Sequence, residues 1–400
     1  MKRSRLLALT LALALALSGC AGYTQIKTSQ NGEREALPMS QSLNEQAVYL
    51  LALETEKNPG ENVILSPLSI EIALAMAANG ATGAARDDLE TLFGMDVETM
   101  NALFGAWLKG EDATLSIANS MWFNETMGEA VDSGFKKALS SVYAAQEGEF
   151  KALDAASAGE INRWVSDKTR GKITSIVDQN SLGEDLFSIL LNAVYFDGKW
   201  SAPFRKEQVE KGEFHAPEGE QDAEFMTQRL KTYFETDQAT GFAKSYEDGY
   251  EWVAILPKGE DFDLSALDLD AFLDSRTGSY DVDVKLPKFE LRYETSLTDT
   301  LAQMGLESLF RDGAMDEMLT QQGRERGVKA KVSDVVHKTY MRMYEEGTEA
   351  AAVTGVMVMA TSAAAPREVK QVFLDRPFAF LILDQNSGQP VFCGYINSLL

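Results

Sequence analysis

Residues 345–366 read "EEGTEAAAVTGVMVMATSAAAP", and this stretch narrows the possible folds more than any other. From Ala350 to Ala365 it carries neither charge nor proline. Its side chains are too small for a core helix, and the run is too short and too rich in hydroxyls for a membrane span. Laid out as a strand, one face would carry Thr348, Ala350, Ala352, Thr354, Val356 and Val358, all small and uncharged. The other face would hold Glu349, Ala351, Val353, Gly355, Met357 and Met359, with its single charge at the start. The plain alternatives are an alanine-rich helix or an irregular loop. Alanine does favour helix, but the Val, Thr and Gly that follow favour strand or nothing regular. Such local conflict is usual at functional sites.

The rest of the chain is ordinary enough to host such a segment. Its 400 residues are 45% hydrophobic and 24% charged, sufficient for a large core. With 61 acidic and 37 basic residues the net charge is −24, which argues against nucleic acid as a partner. The amino terminus reads as an export signal: Lys2, Arg3 and Arg5, then an apolar run from Leu6 to Leu17, then "LSGC" ending at Cys20. Ser18 and Gly19 before the cysteine look like a lipobox, so residues 1–19 are expected to be removed and Cys20 lipidated. A plain secretory signal is the simpler alternative. This reading places the protein outside the cytoplasm, lipid-anchored to a bacterial cell envelope, on a membrane face the sequence leaves open. Residues 20–38 are polar and aperiodic, as a tether would be, and residues 39–400 read as one domain. Cys393 is then the single remaining cysteine. It sits in "PVFCGYI", as a small core residue would, and no disulfide is expected.

Helical patterns concentrate early and strands late, which predicts an α+β fold. "SPLSIEIALAMAANGATG" predicts a buried helix with a glycine stop. Ile161, Trp164 and Val165, and likewise Leu297, Leu301 and Met304, follow helical spacing on half-exposed helices. "SILLNAVYF" predicts a buried strand and "DVDVKLP" a strand with one wet face. "PFAFLILD" and "PVFCGYI", joined by "QNSGQ", predict a hairpin.

Catalytic signatures are sparse. Two histidines, His215 and His337, leave little room for metal or triad chemistry, and no nucleotide, zinc or nucleophile-elbow motif occurs. Ser133 and Lys136 in "SGFK" have S-x-x-K spacing without its companion motifs. His215 reads as an exposed loop or strand-end residue, and His337 as a buried histidine that needs a hydrogen bond. The chain reads as no enzyme, with no cofactor and no metal.

Several stretches carry a more specific signal: "NVILSPLSIEIALAMAANGATG", "NAVYFDGKW", "VKLPKFEL", "VSDVVHKTYMRMYEEGTEAAA" and "DRPFAFLILDQNSGQPVFCGYI". In that order, spread from about residue 45 to 400, they resemble the serpin family. The resemblance implies three β-sheets, eight or nine helices and an exposed reactive loop near the carboxyl end. It implies a monomer that inhibits a serine protease through a covalent acyl complex, as the cleaved loop inserts into the central sheet. Glu345, Glu346, Gly347, Thr348, Glu349, Ala350, Ala351 and Ala352 would be the loop's hinge. The reactive bond would join Thr361 to Ser362, with a cut after Val358, Met359 or Ala360 as the alternative. All these residues are uncharged and small or medium, so the partner is expected to be elastase-like or subtilisin-like. Ser66, Ser69, Asn192 and His337 match the family's shutter under the central strands, and Trp200, Lys288 and Glu345 its breach, where the loop first inserts. The alternative within the family is a non-inhibitory serpin acting as a binding or carrier module.

Overall fold

The computed structural model describes residues 43–109, 114–259, 262–348 and 367–400. Lipidation at Cys20, the hinge positions Glu349, Ala350, Ala351 and Ala352, and the candidate bonds at Val358, Met359, Ala360, Thr361 and Ser362 all lie outside these residues.

Helices come first. Six α-helices fall between Leu43 and Lys168, and three short ones follow among the described residues. The helix Pro67–Ala78 starts as its sequence dictates: Ser66 is extended and accepts from the Ser69 amide, and Pro67 supplies the first helical turn without losing a useful donor. Its stop differs from the expected glycine cap. The helix ends at Asn79 in ordinary right-handed geometry, and Gly80 instead sits where a Cβ would crowd Met315, Met318 and Phe135. The left-handed glycine is Gly83, with φ 54°, at the start of the next helix, Ala84–Phe93. Glu71, within the same buried helix, accepts from the Gln389 amide, and burial pushes its pKa up to about 8.

Leu297, Leu301 and Met304 are all buried, on a helix shorter than their spacing predicts. Thr298–Leu301 is one α-turn, followed by a wider turn over Ala302–Leu306 that breaks at Gly305, whose φ is 95°. The Ile161, Trp164 and Val165 stripe lies on the helix Ala155–Lys168 as predicted.

The strands form the layers that carry the site. A six-stranded sheet runs in the order 63–65, 390–396, 378–384, 250–257, 239–245 and 233–235. Phe378–Asp384 and Pro390–Ile396 pair antiparallel as the expected hairpin, and both are almost wholly buried. Helices Leu43–Lys57 and Pro67–Ala78 pack on the last strand, and Cys393 points its buried thiol at the Ala47 carbonyl. A second sheet contains Asp281–Pro287, where Val282, Val284 and Leu286 face the core and the intervening charged residues are half-buried.

The remaining strands fall into two halves. One is 146–150, 115–124 and 188–196; the other is 289–296, 336–344, 347–348 and 198–199. The expected three-sheet architecture therefore appears with its central sheet divided, because no backbone pairing joins Ser188–Phe196 to Val336–Tyr344 among the described residues. Each of these two strands keeps a ladder along one side. A seam separates their other edges, which explains why Ser188, Ile189 and Leu190 are half-buried where a fully buried strand was expected.

Candidate functional site

The seam is bounded by two clusters of side chains. At its His337 end, the helix start at Ser66 meets both halves of the divided sheet. His337, 6% exposed on the strand Val336–Tyr344, accepts the Ser66 amide at Nε2 over 3.1 Å. The Ser66 hydroxyl donates to the Val391 carbonyl at 2.8 Å and accepts from the Ser69 amide. Ser69 Oγ donates to Asn192 Oδ1, and Asn192 Nδ2 donates to Asn119 Oδ1 at 2.7 Å. Thus the structure brings Ser66, Ser69, Asn192 and His337 together as one connected network. Burial lowers the His337 pKa to about 4, against a smaller upward pull from Glu54, so the ring is neutral at pH 7 and Nε2 is free to accept.

Two members were missed from sequence. Asn119 extends the network to the Tyr143 carbonyl at 2.7 Å, and Thr339 donates to the Ile64 carbonyl at 2.7 Å. Both are polar residues on buried strand positions, and in "SIANSMWF" the Asn is a readable signal because an unpartnered amide there would be costly.

At the Tyr344 end the cluster is charged and aromatic. Lys288 Nζ lies 3.0 Å from both Glu345 and Glu224. Burial alone would push the Lys288 pKa down, but the two carboxylates carry it above the ordinary lysine value. Glu345 mirrors this: burial pushes its carboxyl up, while its own backbone amide and Lys288 hold it below the usual range. Trp200 is fully buried, donates Nε1 to the Tyr344 carbonyl at 3.3 Å, and stacks on Tyr246 with centroids 4.2 Å apart. Tyr246 was missed from sequence, as was Glu224.

Of the residues expected to form the hinge, Gly347 and Thr348 lie between two strands at this end of the seam. Gly347–Thr348 pairs antiparallel with Met343 and Tyr344 on one side and with Gly198 and Lys199 on the other. The two flanking strands therefore run in the same direction. Thr348 is 2% exposed, and its hydroxyl is 2.7 Å from that of Tyr246. Gly347 has φ 154°, and a Cβ there would collide with the Gly198 carbonyl, so only glycine fits between the strands. Glu346 contributes its carbonyl to the Trp200 amide at 2.9 Å. The other candidates do not join the site: His215 is exposed on Val209–Ala216 near Glu220, and Lys136 pairs with Glu147. Among the described residues no group of His, Cys, Asp and Glu side chains could hold a metal ion.

The family model described as Serpin (serine protease inhibitor) matches residues 41–399, and the chain belongs to the serpin family. It is 30% identical over 364 residues to "Iris" of Ixodes ricinus, covering 86% of this chain and 94% of that one. It is 31% identical over 350 residues to an uncharacterised serpin-like protein of Thermococcus kodakarensis, covering 83% and 80%. Among solved structures it is similar to the thermophilic serpin tengpin in its native state, with a TM-score of 0.75, 30% identity, and 89% and 94% of the two chains covered. The fold is equally shared with thyroxine-binding globulin bound to thyroxine, at TM-score 0.75 and 21% identity.

Proposed function

We propose that this chain is an inhibitory serpin, a suicide-type inhibitor of serine proteases with elastase-like or subtilisin-like preference. The observation that carries the reading is the double pairing of Gly347–Thr348. A strand continued from Thr348 in the same direction would run down the seam toward Asn192 and His337. Its inward side chains would be the small, uncharged set beginning at Thr348 and Ala350, so insertion would bury no unpaired charge. From Thr348 to Thr361 the segment spans roughly 45 Å when extended, enough to cross a sheet.

In this mechanism the protease's serine hydroxyl attacks the Thr361 carbonyl. The peptide bond to Ser362 breaks, its amine leaves with a proton, and an ester joins Thr361 to the protease. Insertion of the freed strand then draws the acylated protease along the sheet before water can cleave the ester. The chain supplies the scissile bond and stored folding energy, and the protease supplies the nucleophile.

Mixing the purified protein with pancreatic elastase, subtilisin and trypsin and running denaturing gels tests this. A covalent adduct with elastase or subtilisin is expected; cleavage by all three without adduct sinks the reading. Cleavage should also raise the unfolding temperature sharply, whereas an unchanged melting curve points to a binding or carrier role. We further propose lipid anchoring of the chain at Cys20 to a bacterial envelope. Cys20→Ser should then move the protein from the membrane to the soluble fraction.

A further inference from the structure

Lys244 lies on the strand Ala239–Ser245 and is 4% exposed. Its Nζ donates to the Ala202 carbonyl at 2.6 Å and to Gln228 Oε1 at 2.5 Å. It also sits 4.4 Å from the centre of the Phe204 ring and 5.3 Å from that of Trp200. The amine thus touches the segment 200–204 at three of its residues. That segment holds the hinge from the other side: the amide of Trp200 donates to the Glu346 carbonyl and the amide of Phe204 to the Glu345 carbonyl, each at 2.9 Å. A cation there has neutral acceptors and ring faces around it, and burial with no offsetting charge pushes its pKa down to about 7.

We infer that Lys244 is a positioning residue for loop insertion, fixing the segment whose amides grip the hinge. This rests on the insertion mechanism proposed above. Other ionisable groups on the surrounding elements are already engaged or stay neutral. Glu224, on the strand of Gln228, and Glu345, on the hinge, share Lys288, and Glu251, on the adjacent strand, is paired with Arg276. Arg205, beyond Phe204, bonds Gln208, Lys206 adds a weak pull on Glu345, and burial keeps Tyr246 as the phenol. Once the rings part and water reaches the amine, it recovers an ordinary lysine affinity for protons. The open gate then binds a proton that the closed gate rejects at pH 9, so opening grows easier as pH falls from 9 to 7 and levels off below.

The test uses a synthetic peptide of the sequence Thr348 to Thr361, whose annealing into the full chain needs an open seam and no protease. Native gels give the rate at pH 7 and pH 9, a window above the range where His337 titrates. Wild type is expected to anneal on the order of tenfold faster at pH 7 than at pH 9. Lys244→Met should lose that tenfold difference, and Lys244→Arg, charged throughout, should lose it too, each keeping only the pH dependence that groups common to all three proteins contribute. Glu71 titrates alike in all three proteins and so cancels. If Lys244→Met keeps the wild-type pH dependence, or if Lys244→Arg slows at pH 9 as wild type does, the inference is overturned. The Arg comparison stands even if the Met variant folds poorly. Absence of a protease adduct is a separate result, which overturns the inhibitory reading and leaves the peptide assay intact.

Discussion

At the His337 end of the seam the two half-sheets are joined through neutral side chains: Ser66, Ser69, Asn192 and Asn119, with an imidazole that burial keeps unprotonated. At the Tyr344 end the contacts flank the seam rather than cross it: the half-exposed Lys288–Glu345 pair, the Trp200–Tyr246 stack, and Gly347–Thr348 wedged between Tyr344 and Gly198–Lys199. A neutral, buried network holds by hydrogen-bond geometry, is insensitive to salt, and can be re-formed with new partners as strands shift. A half-exposed ion pair is weaker and is screened by salt. The salt-screened contact thus stands beside the wedged Gly347–Thr348, and the neutral network at the other end of the seam.

The largest expected effect comes from placing a charge in the wedge. Thr348→Arg would bury an unpaired guanidinium between the strands, so the protein should be cleaved as a substrate, with adduct yield down on the order of a hundredfold. Wild-type adduct yield from this variant would break the assignment of Thr348 to the inward face.

Next comes acid. His337 has a folded pKa of about 4, below the ordinary histidine value, so between pH 6.5 and 4 the unfolded chain is protonated while the native one is not. Its contribution is complete above pH 6.5 and falls by roughly 3 kcal/mol as pH drops to 4. Urea unfolding at pH 7, 5.5 and 4 should show this loss in wild type, and a smaller one in His337→Gln. Equal slopes for both would mean the histidine is not the acid-sensitive part of the neutral end.

Asn192→Ala should cost about 2 kcal/mol, because it strands the Ser69 hydroxyl and the Asn119 amide oxygen. Denaturant midpoints should show the same loss at low and high salt. Lys288→Met is the mildest change, below about 1 kcal/mol for a pair open to water. Its difference from wild type should vanish in 1 M salt, and a persistent difference would erase the contrast between the two ends.

How far this was legible in sequence follows from the same contrast. Ser66, Ser69, Asn192, His337, Trp200, Lys288 and Glu345 were found because they lie in motifs that resemble a family, and the structure brings them together as two clusters. Thr339, Tyr246 and Glu224 were not found because each gains its partner only from topology, and Asn119, though readable as a costly polar residue in a buried strand, shows no partner until Asn192 is brought beside it. The same holds for Lys244: its partners come from two separate stretches, 200–204 and 228. Fold class was readable because helix-forming patterns precede strand-forming ones. The fate of Gly80 was not, because a glycine kept for close approach to Met315 and Met318 looks in sequence like one kept for a turn.

Val63–Leu65, the first strand among the described residues, pairs with Pro390–Ile396, the last of them, so the neighbour it needs is synthesised more than three hundred residues later. The six-stranded core cannot be completed while the ribosome still holds those final residues, and such long-range closure is slow. The segment proposed as bait emerges before them. Under the proposed mechanism, every newly made molecule thus passes through a period in which the segment is present and the core that would keep it out of the seam is unfinished. Changes in the last ten residues should act on how many chains reach the loop-out state, even where the finished protein tolerates them.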